Sequence, residues 1–371
     1  MFRLVLLVIL LLVSLLAIFN APTYHLWMAA ILVTEFAWIF LLATLILTGC
    51  GFWINKYQLA GTIIGIVTFI ILLFPIIKAA ILGNELKFTK SKILGNNGIV
   101  DTTPFSIFKM FAGNPEPIAF KTLTYVKYAD TALTLDFYPA QNKSKAPCVV
   151  VIHGGSWSGG DSQQLPELNN YLAHKGYNVA SINYRLAAKY KSPAPLDDVR
   201  AAIKYLKESD LNIDTTQLVL LGRSAGAQIA LLAAYTFNDK SVKGVIDFYG
   251  PADMVWGYSK PASKWVMDSR GVMERYLGGT YQQVPQNYAA SSPIEYVTPQ
   301  SPPTLIIHGA NDVLVAYEHS RRLDEKLQQN GIPYFWLKLP WATHGFDYSF
   351  NGPGGQLSTY IIERFLKTVT R

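Results

Sequence analysis

The sequence predicts an α/β fold class: a mostly parallel central sheet with helices on both faces, preceded by about three transmembrane helices. Three observations carry this. Residues 1–83 hold three long apolar stretches. From about residue 117, strand-like apolar runs alternate with amphipathic helical patterns, as in a parallel sheet linked by crossover helices. At the end of one such run, VLLGRSAGAQIALLAA (219–234) sets a serine between two glycines, Gly222 and Gly226.

The stretch 4–19 is apolar except for Ser14, 26–48 is broken by Glu35 and a few threonines, and 59–82 carries Lys78 near its end. A membrane crossing takes roughly 17–25 apolar residues. The second and third stretches meet this; the first is short, and a signal-peptide core is its rival. Trp27, Trp53 and Tyr57, at the ends of these stretches, are expected as interface anchors. LTGC at 47–50 resembles a lipoprotein box, but it follows two apolar stretches and precedes a third, so Cys50 is read as an ordinary interfacial cysteine. Glu35 is expected to be protonated or hydrogen-bonded against a neighbouring helix, because a bare charge mid-span is costly. The expected localisation is multi-pass in a plasma or inner membrane, with the side of the large domain left open. Residues 84–116 read as a juxtamembrane connector: Lys-rich, then GNNG, then a Phe patch at Phe105, Phe108 and Phe111 that is expected to pack on the following domain, with an interfacial helix as the alternative.

Half of the 371 residues are hydrophobic, as membrane segments would require. The net charge of +7 is unevenly placed: residues 1–92 carry Arg3, Lys56, Lys78, Lys87, Lys90 and Lys92 against Glu35 and Glu85. The basic balance therefore belongs largely to the membrane-flanking part, and no nucleic-acid partner is indicated. Two cysteines, Cys50 and Cys148, without a CxxC or Cys/His cluster support neither a disulfide framework nor a metal site.

The large domain, 117–371, opens with TLTYVKYAD and LTLDFYPA as an antiparallel pair. APCVVVIHGG is a buried strand ending in glycines, ELNNYLAHKG a helix with a Gly stop, and YNVASINYR the next strand. PLDDVRAAIKYLKES is an amphipathic helix with Leu196, Val199, Ile203 and Leu206 on one face. QLVLLG is a strand, followed by a helix from Ala225. VKGVIDFYG, PTLIIHG and YFWLKLP are later strands, and EHSRRLDEKLQQNG is a helix between the last two. Residues 251–302, rich in Pro, Trp, Tyr and Ser, interrupt the alternation as a candidate lid. Ligands of such sheets sit at the carboxyl ends of the strands.

GRSAG lies at one of those ends. A strand must stop, turn and start a helix within a few residues, and glycines remove the Cβ atoms that would clash. Ser224 is then projected beside N–H groups of a helix N-terminus, which favour a developing oxyanion. An inert turn is the alternative. A serine nucleophile needs a base, and the base an orienting acid. Asp312 follows one downstream strand and His344 the next. Of six histidines, His25 sits at a membrane turn, His174 and His319 fall in helical surface patterns, and His308 reads as structural. Asp347 is the rival acid. The loop after VVVIHGGSW (149–157) ends in two glycines and is suited to supply further oxyanion donors.

These residues together resemble the α/β-hydrolase fold, in the carboxylesterase/lipase branch that includes hormone-sensitive-lipase-like and feruloyl-esterase-like enzymes. The matching pieces are HGGSW, NYRLA (183–187), PLDDVRAAIKYL (195–206), GRSAG, DFYGPAD (247–253), HGANDVLV (308–315) and HGF (344–346). The resemblance implies Ser224 as nucleophile, His344 as base and Asp312 as acid, with backbone N–H groups of Gly154, Gly155 and Ala225 as the oxyanion hole. Two departures stand out: HGGSW replaces a fuller HGGG, and Arg223 occupies a position where Asp or Glu is common. Asp198 and Tyr184 match positions that shape the scaffold.

The expected function is a membrane-anchored serine hydrolase of carboxylic esters, with a small-molecule or lipid ester as substrate and no cofactor or metal. A serine peptidase on the same fold and a non-catalytic membrane adaptor are the alternatives.

Overall fold

The computed structural model describes residues 1–53, 56–95, 103–141 and 144–370. Part of the connector, including 96–98 of GNNG, lies outside the described residues.

The chain begins with α1 (Phe2–Ser14), α2 (Tyr24–Glu35), α3 (Ala37–Gly49) and α4 (Gln58–Phe88). Helices α1, α3 and α4 pack on one another. Gly61 and Gly65 allow the close approach: a Cβ at Gly65 would sit 2.0 Å from Thr48 Oγ1, and one at Gly61 would strike Arg3. Small residues four apart are a recurrent way to bring apolar helices together.

Among the described residues, one helix, or two if a bent pair is taken as one span, has the length and apolarity of a crossing, in place of the three expected. That one helix is α4. The second expected span breaks into α2 and α3, bent by 83°. The cause is a long-range contact. Glu35, 1% exposed, accepts a hydrogen bond from Gly354 N (2.8 Å) and one from Trp341 Nε1 (3.3 Å). The last residue of α2 is thereby tied to the first turn of α12 (Pro353–Val369), where the oxygens of a buried carboxyl group accept from N–H groups that the helix leaves unpaired. The chain then leaves at Phe36 with non-helical dihedrals.

The large domain is an eight-stranded sheet in the order β1-β2-β4-β3-β5-β6-β7-β8. Its strands are β1 (Lys121–Lys127), β2 (Ala132–Tyr138), β3 (Ala146–Ile152), β4 (Asn178–Ile182), β5 (Ile213–Arg223), β6 (Val242–Phe248), β7 (Thr304–Gly309) and β8 (Tyr334–Leu339). β2 pairs antiparallel with β1 and β4, and every pairing from β4 to β8 is parallel. β3, β4, β6 and β7 are buried almost throughout because both faces are covered. The covering helices are α5 (Pro166–His174), α6 (Ala194–Glu208), α7 (Ala225–Thr236), α11 (Glu318–Gln329) and α12; between β6 and β7, α8 (Met254–Ser259), α9 (Ser269–Leu277) and α10 (Pro285–Ala290) form the irregular insertion over the strand ends.

The end of α4 joins the domain core: Phe74, Ala79, Leu82 and Leu86 pack in the cluster that contains Leu357, Ile361 and Phe365. Buried Arg364 fastens this junction, donating to Leu86 O (2.7 Å), Thr89 O (2.8 Å) and Leu94 O (3.1 Å). Phe105 of the connector packs on the same cluster, whereas Phe108 is exposed.

Candidate active site

β5 ends at Arg223 and α7 begins at Ala225, so Ser224 carries the whole turn. It adopts φ 53°, ψ −119°, a conformation that L residues rarely hold. The flanking glycines have no alternative: a Cβ at Gly222 would lie 2.3 Å from Gly226 O, and one at Gly226 would lie 2.2 Å from Ile152 O. The turn is pinned by the Ser224 N–H, which donates to Phe248 O on β6 (2.9 Å).

From that turn Ser224 Oγ reaches to 3.0 Å from His344 Nε2. His344 Nδ1 lies 2.7 Å from Asp312 Oδ2. The other oxygen, Asp312 Oδ1, accepts from Leu314 N and Val315 N, both at 2.9 Å. Burial by itself pushes the Asp312 carboxyl up, but the two imidazoles His344 and His308 outweigh it and hold the carboxyl well below its usual range. It therefore stays ionised and fixes the tautomer of His344, with Nδ1–H toward Asp312 and Nε2 free to accept from the serine hydroxyl.

The glycine loop lies against the same turn. Gly154 N–H is already engaged, donating to Gln164 Oε1 at 2.7 Å. The N–H groups of Gly155 and Ala225 have no partner among the described residues. Gly155 holds φ 119°, and a Cβ there would meet Gly159 O at 2.1 Å.

A family model matches residues 135–327, from β2 through α11, and its family is BD-FAE. The chain belongs to the BD-FAE family. Among curated relatives, Esterase LipC of Mycobacterium tuberculosis is 30% identical over 265 residues, covering 65% of this chain and 64% of LipC. A probable carboxylic ester hydrolase of the same organism, LipM, is 27% identical over 240 residues, 60% of this chain and 54% of that one. The chain thus spans between half and two thirds of the length of these relatives. A solved esterase from Pyrobaculum calidifontis aligns with TM-score 0.60 at 21% identity, covering 69% of this chain and 87% of that one. This likeness is one of fold, the α/β-hydrolase fold.

Several residues around the BD-FAE site depart from the sequence expectations. Asp347, the rival acid, contacts no histidine: Oδ2 accepts from Arg223 Nε (2.6 Å), and Oδ1 accepts from Tyr249 OH. The Tyr249 ring packs 4.4 Å from the His344 ring. Burial, then the neighbouring Asp347 charge, pushes the Tyr249 phenol far up, so it remains a donor. His308, read as structural, is fully buried, with Nε2 3.1 Å from Asp312 Oδ2 and Nδ1 facing Ser320 Oγ at 2.7 Å. His319 is no surface residue: it is buried, and burial pushes its imidazole down to about 3. Trp27 is not a plain interface anchor, because its Nε1 donates to His344 O at 3.0 Å. Asp198, by contrast, agrees with the scaffold role expected of it, being buried and paired with Arg185 (2.9 Å).

Two cavities meet at Ser224. The smaller, about 110 Å³, is bounded by Trp157, Ala225, Pro251, Met273 and Val315. The larger, about 800 Å³, runs from Ser224, His344 and Gly155 to the side of α2. Among the described residues no group of His, Cys, Asp and Glu is arranged to hold a metal ion.

Proposed function

We propose that the chain is a membrane-attached serine hydrolase that cleaves carboxylic esters through an acyl-enzyme. The observation that carries this reading is the continuous hydrogen-bonded path from Asp312 through His344 to Ser224 Oγ, opening into a cavity beside two unpartnered backbone N–H groups. The names of the curated relatives, esterases and a probable carboxylic ester hydrolase, support it.

His344 Nε2 takes the Ser224 proton as Oγ bonds to the ester carbonyl carbon. The carbonyl pair moves onto oxygen, where Gly155 and Ala225 N–H groups meet it; Gly154, held by Gln164, shapes the loop. Collapse breaks the bond to the alcohol oxygen, which departs with the proton from His344. Water, losing a proton to His344, then attacks the acyl-enzyme, releasing the acid and restoring Ser224. The cycle balances without a cofactor.

Attachment rests on α4 as the crossing helix, with α1 and α3 packed along it. The bundle leaves Val5, Ile9, Leu42, Leu45, Ile63 and Ile70 exposed, an apolar surface suited to hydrocarbon. A fluorophosphonate probe tests the chemistry. It is expected to label the wild-type chain and not Ser224→Ala. Equal labelling of both would remove Ser224 from its role, and an unlabelled wild type would remove the hydrolase reading.

A further inference from the structure

The larger cavity is walled on one side by the catalytic domain and on the other by α2, which contributes Tyr24, Trp27, Met28, Ile31 and Leu32. This wall is built into the fold rather than leaning on it. Its start is held by Tyr24 N donating to Trp265 O (3.0 Å), its middle by Trp27 on His344 O, and its end by Glu35 on Gly354 N. The same helix leads, through the 83° bend, into the apolar bundle around α4. The reaction cavity and the membrane-attachment surface are therefore one continuous feature.

The cavity lining is selective. Among the described residues, no lysine, aspartate or glutamate lines it, and its arginine, Arg223, is already paired with Asp347. A cationic headgroup would lose its water here and meet no counterion, and an anionic one would meet only the Arg223 guanidinium, whose charge Asp347 already balances although its Nη1 has no partner among the described residues. Tyr24 and Tyr348 line the cavity and Trp265 neighbours Tyr24 through its backbone; all three are exposed aromatics of the kind that sit at a membrane–water boundary. The second cavity at Ser224, about 110 Å³, has room only for a short group; Trp157, Met273, Lys260 and His319 are among the residues that line it.

We propose that the substrate is an uncharged lipophilic ester with one long and one short arm, the long arm lying along α2 and the short arm filling the smaller cavity. This rests on the hydrolase reading above and names its substrate class. Such esters reside in the membrane to which the bundle attaches; counted from water, each methylene laid against α2 adds roughly fourfold in binding.

The full-length chain in nonionic micelles provides the test. Ethyl butyrate is the short–short ester, ethyl laurate and lauryl acetate are the long–short pair, and lauryl laurate is long–long. One of the long–short esters is expected to exceed both ethyl butyrate and lauryl laurate at least tenfold in kcat/KM. Leu32→Asp and Met28→Asp, at half-exposed positions on the cavity wall, are expected to reduce that preference at least tenfold, and Lys204→Glu, on the far surface, to leave it in place. Should the aspartate variants fold poorly, Leu32→Trp, which narrows the same wall, is expected to shift the optimum to a shorter arm. A fluorophosphonate with a long alkyl chain and a terminal diazirine is expected to bond to Ser224 and crosslink within 24–35. Ser224 labelling with a crosslink confined to 251–302, or ester hydrolysis with no long–short preference, overturns the inference and leaves the hydrolase reading standing. No labelling of Ser224 and no hydrolysis of any ester defeats that reading itself.

Discussion

Asp312 answers to two imidazoles and two backbone N–H groups, so its charge is fixed by geometry rather than by solvent. Asp312→Asn keeps the shape but removes that charge and lets His344 take the wrong tautomer. Its kcat is expected to fall roughly 10⁴-fold with little change in KM, and a fall of less than tenfold would remove Asp312 from the proposed chemistry. A second buried acid behaves oppositely. Asp247 at the end of β6 is fully buried; Oδ1 accepts from Gly250 N and Oδ2 has no partner. Burial pushes its carboxyl up to about 7, against the opposing pull of His308. A folded value above the unfolded one means that the native chain keeps the proton while the unfolded chain has lost it. The associated stability is full below the unfolded value near 4 and is lost as pH rises through about 7, by up to about 4 kcal/mol. Asp247→Asn is expected to flatten that slope, so that between pH 5 and pH 8 its thermal midpoint falls less than that of the wild type by about 5 °C or more. Parallel curves would show that Asp247 is ionised in the fold. At this scale Ser224, Asp312 and His344 are legible in the sequence as neighbours, because each follows a strand of one parallel sheet and strand ends converge. Gln164, Tyr249 and Trp27 are not, because their contacts join loops or distant helices that no local pattern relates.

Helices separate what periodicity can reveal from what it cannot. The strands of the large domain are readable one by one, since burial on both faces leaves continuous apolar runs, and α6 is readable from its single apolar face. The break between α2 and α3 is invisible to hydropathy. The residues on both sides are apolar, and the cause is a carboxylate partner 319 positions away. Glu35 is thus a capping residue of α12 supplied by another element. Glu35→Ala would leave Gly354 N–H and Trp341 Nε1 buried and unpaired, at a cost of about 1–3 kcal/mol for each. The expected outcome is faster proteolysis between α2 and α3 and a lowered thermal midpoint, with Ser224 still reactive toward a small probe. Unchanged proteolysis would mean that α2 is held in place without Glu35.

For the molecule as a whole, the two ends of the bundle face opposite ways. Arg3 of α1 donates to Leu47 O of α3, and Gly61 near the start of α4 packs on Arg3, so these residues lie together at the end remote from the sheet. The other end is fastened to the domain by Leu86, Arg364 and Glu35. α4 spans about 46 Å at 1.5 Å per residue, and from Phe74 on it packs against the domain core, so a crossing would rest on the turns before Phe74. Cysteine placement makes this measurable. Cys50 is partly exposed at the remote end. Cys148 is fully buried in β3, where burial pushes its thiol up to about 12, so it does not compete for reagent. In sealed vesicles an impermeant maleimide and an added protease should act from opposite faces: where protease cuts the catalytic domain, Cys50 should label only after permeabilisation. Cys50→Ser should abolish the signal. Labelling of Cys50 and cleavage of the domain from the same face would mean that α4 lies along the membrane instead of crossing it, and the bundle would then be a surface anchor.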